Sequence, residues 1–188
     1  MNFRTNRRLR LPLHGLLVLA MRASPALAQS GNYVLPPVIL EDFGVFCPDE
    51  PVGRIEAPDT ERGFIDLVSG NPPVDFHTDV VPAELGLGFG MRFRLAPGEA
   101  TRMARVVITH PPFGTPPVSR ETYAITLESD FTSMTQFDFD ETYEMQPGRW
   151  NLAIEVEGGI LLSHDFTVVP ADQSLISTKM CKGPALLS

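Results

Sequence analysis

The 188-residue chain is poor in the side chains that assemble into catalytic and metal sites. It has two cysteines and four histidines. No histidine pair falls in an H-x-H or H-x-x-x-H spacing, which would bring two imidazoles to one ion. The methionines form no Met-x-x-Met cluster of the kind that suits cuprous copper. There is no G-x-S-x-G elbow, no G-x-x-x-x-G-K-[ST] phosphate loop and no dinucleotide fingerprint after a strand. No triad spacing is recognisable, so the chain reads as a non-enzyme without a cofactor. Amphipathic helices are also missing, and no apolar run is long enough to anchor the chain permanently in a bilayer.

Acidic residues are absent from the first 28 positions, which hold five of the 15 Lys and Arg. Arg4, Arg7, Arg8 and Arg10 precede the apolar run LPLHGLLVLAM, and the stretch closes on Ala26-Leu27-Ala28. Charge, apolar run and small-x-small site in that order predict a secretory signal peptide over 1–28, with the mature chain starting at Gln29. Arg7-Arg8 also admits a twin-arginine reading, although the following residues match that signal poorly. No cysteine stands at the cleavage point, which argues against a lipoprotein. The expected location is therefore periplasmic or secreted, with no membrane anchor after cleavage.

Cleavage would leave ten basic residues against 23 acidic ones, a net charge of −13. Such a surface repels phosphate backbones and anionic headgroups, so nucleic acid is excluded as a partner. Cys47 and Cys181 suit a single disulfide in an exported protein; two free thiols are the alternative.

The apolar pattern repeats every second residue. Leu87, Phe89, Met91, Phe93 and Leu95 alternate with Gly88, Gly90, Arg92 and Arg94. Trp150, Leu152, Ile154 and Val156 do the same, as do Tyr123, Ile125 and Leu127. Successive side chains of a strand point to opposite faces, so these are antiparallel strands with one wet face. Strands are predicted at 38–46, 63–68, 74–80, 86–96, 103–110, 120–128, 134–140, 149–157 and 160–169. Gly158-Gly159 is the expected turn of the last hairpin. The fold class is all-β, an immunoglobulin-like antiparallel sandwich of seven to nine strands, with a small barrel as the alternative. A flexible segment over 29–37 precedes the sandwich domain at 38–170, and a tail occupies 171–188. The first strand is expected to run parallel beside the last, and 48–62 is expected to be irregular.

Three sets of residues stand out as candidate sites. THPPFGTPPV, residues 109–118, holds four prolines. It reads as a stiff crossing between sheets, or as a contact loop of His110, Pro111, Pro112, Phe113 and Gly114, with Phe113 plugging the core. Asp138, Asp140 and Glu141, with Glu144 nearby, are hard oxygen ligands that would suit calcium, but they lack the glycine of an EF-hand loop. The simpler reading is a strand with Phe137 and Phe139 inward and carboxylates in water. Arg92 and Arg94 make a basic spot whose expected fate is pairing with nearby carboxylates.

The stretches EDFGVFC (41–47), VVITHPPFGTP (106–116) and QPGRWNLAIEVEGGILLSHDFTVV (146–169) resemble a family of small exported proteobacterial domains of unknown function. The resemblance spans roughly residues 38–170. It implies export and a β-sandwich, and carries no catalytic or ligand residues. The resulting expectation is an exported, non-enzymatic sandwich that binds another protein. A calcium- or copper-binding module is the second reading, and a periplasmic hydrolase the third.

Overall fold

The computed structural model describes residues 31–181. The signal-peptide reading of 1–28 lies outside the described residues. In chain order the strands are β1 (Tyr33–Val34), β2 (Val38–Phe46), β3 (Gly53–Glu56), β4 (Phe64–Leu67) and β5 (Val80–Ala83), then β6 (Gly88–Leu95), β7 (Arg102–Phe113) and β8 (Val118–Leu127). β9 (Ser133–Asp138), β10 (Gly148–Val156) and β11 (Gly159–Pro170) complete the set, followed by a 3-10 turn at Ala171–Gln173 and α1 (Thr178–Cys181).

Two sheets form the sandwich. The larger runs β1-β11-β10-β7-β8, with β5 added to the outer edge of β11; the smaller runs β2-β6-β9. β3 and β4 make a separate antiparallel hairpin. The sheets end at open edges, so the barrel alternative is not formed. The alternating residues meet between the layers: Phe89, Met91, Phe93 and Leu95 face Trp150, Leu152, Ile154 and Phe166, all fully buried. Burying a large apolar side chain contributes about 1.5–3 kcal/mol, and these eight lie at the centre of the interior. Glycine is required opposite them at Gly90, where a Cβ would fall 2.0 Å from the Thr135 carbonyl oxygen.

Several local expectations are corrected. Residues 74–80 do not form a strand; only Phe76 bridges to Val45, and the strand begins at Val80. It is this β5, not β2, that runs parallel to the last strand, and β2 pairs with β6 in the other sheet. Pro82 is tolerated in β5 because an edge strand need not donate on its outer side. β3 occupies part of the supposedly irregular 48–62, and Tyr33–Val34 of the supposedly flexible segment pair with Leu162–Ser163. The β10–β11 turn is Glu157-Gly158, both at positive φ (52° and 82°), because Val156 already pairs with Gly159. The disulfide is present, joining Cys47 to Cys181 with Cα atoms 5.5 Å apart.

A candidate binding cleft between the sheet edges

β8 and β9 are edge strands of the two sheets that no further strand extends among the described residues. They lie on the same flank of the sandwich. The other edge of the smaller sheet, β2, is bridged by Phe76 at Val45. Pairing of Ile108, Val106 and Ala104 with Glu121, Tyr123 and Ile125 puts those three β8 side chains on the inner face. From β9, Thr135 and Phe137 point inward beside Met91 and Phe89. The Tyr123 hydroxyl and Thr135 Oγ1 share a hydrogen bond that ties the two edges together. Burial pushes the Tyr123 phenol up to about 12, so it stays protonated. The β3–β4 hairpin lies over this flank, and a cleft of about 370 Å³ remains beneath it.

Chain direction gives the cleft two unlike ends. Where β8 finishes and β9 begins, Ile125, Met134 and exposed Phe131 line the cleft, to which the hairpin adds exposed Ile55 and Leu67. Phe131 is 60% exposed, a large cost in water for an aromatic ring with no cover. Where β8 begins and β9 finishes, the lining carries Glu61, Glu121, Asp138, Asp140 and Glu144 beside Arg62. Arg62 is committed to Asp140 and lies 3.7 Å from Asp66, which Arg54 also holds at 2.8 Å. Both guanidinium groups stack on the Phe64 ring, 3.6 and 4.5 Å from its centroid. Among the described residues, Glu61, Glu121, Asp138 and Glu144 have no arginine or lysine partner.

Two of these carboxyls are protonated more readily than usual. Burial raises Glu144 to about 7, opposed by the amides of Asp140 and Glu141 that donate to its Oε2 at 2.9 and 2.8 Å. Burial likewise raises Asp138 to about 6, opposed by Gln136 Nε2 at 2.9 Å from both oxygens.

His110 stands behind the acidic end. Its ring is fully buried, stacked on Phe113 (4.1 Å) and Trp150 (4.8 Å). Nδ1 faces the Pro111 carbonyl at 2.9 Å, an acceptor only, so Nδ1 carries the proton. Nε2 lies 3.2 Å from Glu121 Oε1 but off-axis, and neither atom makes a hydrogen bond. Glu121 Oε2 accepts from the Glu61 amide at 3.1 Å.

These positions correct the contact-loop expectation. Residues 109–118 are no crossing between sheets: β7 continues through Phe113 and turns directly into its neighbour β8. His110 and Phe113 are buried in the aromatic stack, Pro111 and Gly114 are half-buried, and only Pro112 of the five is well exposed. Gly114 has φ +82°, and a Cβ there would meet Glu61 at 2.8 Å, so the turn is fitted to the cleft wall.

The calcium candidates are not gathered around a common centre. Asp138 engages Gln136, Asp140 engages Arg62, and Glu141 presents its amide to Glu144. No group of three or more His, Cys, Asp or Glu side chains among the described residues is arranged to hold a metal. The histidines are dispersed: His164 is buried against Phe43 (ring centroids 4.0 Å), while exposed His77 pairs with Asp42 at 2.8 Å. Burial lowers the pKa of His164. Arg94 pairs with Glu41 at 2.7 Å, whereas Arg92 donates to the Asn71 amide oxygen at 3.3 Å.

Sequence reading missed Ile55, Arg62, Glu121 and Phe131. Only Glu121 carried a usable signal, a carboxylate on the apolar side of the Tyr123–Leu127 alternation.

Residues 37–168 match the family described as a domain of unknown function, DUF3859, and the chain belongs to that family. An immunoglobulin-like protein from Pseudomonas aeruginosa has a similar structure, with TM-score 0.51 and 22% identity, covering 76% of this chain and 99% of that one. At that identity the likeness speaks for the immunoglobulin-like sandwich alone. No curated protein matches the chain.

Proposed function

We propose that this member of the family is an exported, non-enzymatic module that binds a partner polypeptide in the cleft between β8 and β9. The observation that carries the reading is the exposed apolar end of the cleft, where Phe131, Ile55 and Leu67 border open sheet edges. A large uncovered aromatic beside an unpaired edge is a feature of interaction surfaces and a liability elsewhere.

Export is supported by the leader pattern of 1–28 and by the Cys47–Cys181 disulfide, a bond that persists in oxidising compartments. The non-catalytic reading is supported by the two histidine–carboxylate pairs. The imidazole of the His110–Glu121 pair is walled in by Phe113 and Trp150, and His77–Asp42 lies on open surface. The dispersed carboxylates give the metal-binding reading no comparable support.

The test is site-specific photo-crosslinking in the producing cell, with the crosslinker at position 131 or, as control, at Arg149 on exposed surface. A single discrete adduct from position 131, identified by mass spectrometry and missing from the Arg149 protein, is the expected result. Equal labelling from both positions would overturn the reading.

A further inference from the structure

The cleft can be read further, resting on the proposal that it binds a polypeptide. Three features together specify what kind of segment fits.

The first is the backbone of β8. Thr122 donates its amide outward to the Asp59 carbonyl at 3.1 Å, away from β7. N–H and C=O of one residue point to the same side of a strand, and the side alternates along it. Ala124 and Thr126 therefore also direct both groups outward, and no backbone partner meets them among the described residues. Both residues are exposed and line the cleft. The edge offers a short ladder to an incoming strand.

The second is the spacing of the two ends. Glu121 and Ile125 lie on the inner face of β8, four residues apart, with Tyr123 between them. At about 3.3 Å per residue that separation is about 13 Å. A partner strand would present the same spacing as side chains i and i+4.

The third is charge. At the acidic end, Glu61, Glu121, Asp138 and Glu144 lack an arginine or lysine partner among the described residues, while Arg62 serves Asp66 and Asp140. Glu121 accepts from the Glu61 amide at 3.1 Å, and the off-axis His110 ring lies 3.2 Å from its other oxygen. At the apolar end, Phe131, Ile55 and Leu67 are uncovered.

We infer that the cleft takes an extended segment that adds as a strand to β8, carrying a lysine or arginine four residues from a large apolar side chain. The cation occupies the end bordered by Glu61, Glu121 and Asp138, and the apolar group packs on Phe131 and Ile125. Main-chain bonds supply affinity in such strand addition, and alternate side chains supply selectivity.

The experiment is selection of the intact, disulfide-bonded protein against a displayed library of random nine-residue peptides. The expected peptides contain Lys or Arg at i with Leu, Ile, Phe or Trp at i+4 or i−4. Replacing the cation by glutamine should weaken binding at least tenfold. The same replacement should cost less than threefold against Glu121→Gln combined with Asp138→Asn, because the coupling has been removed. Glu61→Gln, on the half-exposed rim, supplies the same comparison if the double variant melts abnormally. Peptides that depend on Phe131 but show no cation preference would overturn this inference and leave the proposed function standing. Failure to select any peptide sensitive to Phe131→Ser would overturn both.

Discussion

The two flanks of the sandwich are finished differently. On one, the outer edge of β11 is covered by β1 at Leu162–Ser163 and by β5 at Thr167–Pro170. There the disulfide ties the end of β2 to α1, and Thr178 bonds Glu84 just after β5. On the other, β8 and β9 have no outer strand partner among the described residues, and the β3–β4 hairpin lies over the gap. An exposed edge is an aggregation hazard that proteins normally cover or charge. One flank is closed by added strands and the disulfide. The other carries a bare phenylalanine and carboxylates that lack an arginine or lysine partner among the described residues. On the proposed function, that division separates stability from recognition.

The comparison can be broken most strongly at the sealed flank. Replacing Cys47 and Cys181 by serine opens a loop with a sequence separation of 134 residues. It should lower unfolding stability by about 4 kcal/mol, read as a denaturation midpoint with and without reductant. An unchanged midpoint would mean that the latch does not carry that flank. Val81→Ala, at the fully buried position of β5, should cost about 2 kcal/mol through lost transfer energy and the cavity left behind.

The open flank should respond with the opposite sign. Glu144 titrates near 7 when folded and near 4.5 when unfolded, so the folded state binds its proton more tightly. Its contribution to stability is fully present below about pH 4.5 and is lost as pH rises through about 7. Glu144→Gln keeps an acceptor for the Asp140 and Glu141 amides and should gain about 1–2 kcal/mol at pH 8, with no gain at pH 4. Urea melts at the two pH values check this; an equal effect at both would rule out titration as the cause. The smallest change is expected for Phe131→Ser, within about 0.5 kcal/mol of the parent, because its ring is largely in water already. A large loss there would make Phe131 a core residue and remove the ground for reading the flank as a docking surface.

Much of the sandwich was legible because alternation is local. Phe89, Met91 and Phe93 declare their buried face by period two alone, and so do Trp150, Leu152 and Ile154. The two-residue strand β1 and the four-residue strands β3 and β5 were not legible. They are too short to show a period, and β1 and β5 exist because β11 offers them an edge. The site was less legible still. Phe113 was legible as a plug on the core, but His110 and Pro111 read as a loop, whereas the His110 ring stacks on Trp150 inside the core. Phe131 looked like any loop residue, and only the start of β9 beside it makes a rim.

The amino-acid sequence by itself determined the class of fold, the inward faces of the long strands and the family. These follow from side-chain alternation, turn residues and residue identity, all read within a few positions. Tertiary structure alone decided which edges are covered, where Cys181 meets Cys47, and that carboxylates as distant as Glu61, Glu121 and Asp138 share one cleft. Such neighbours are set by sheet order, through contacts between residues tens of positions apart that no local pattern encodes.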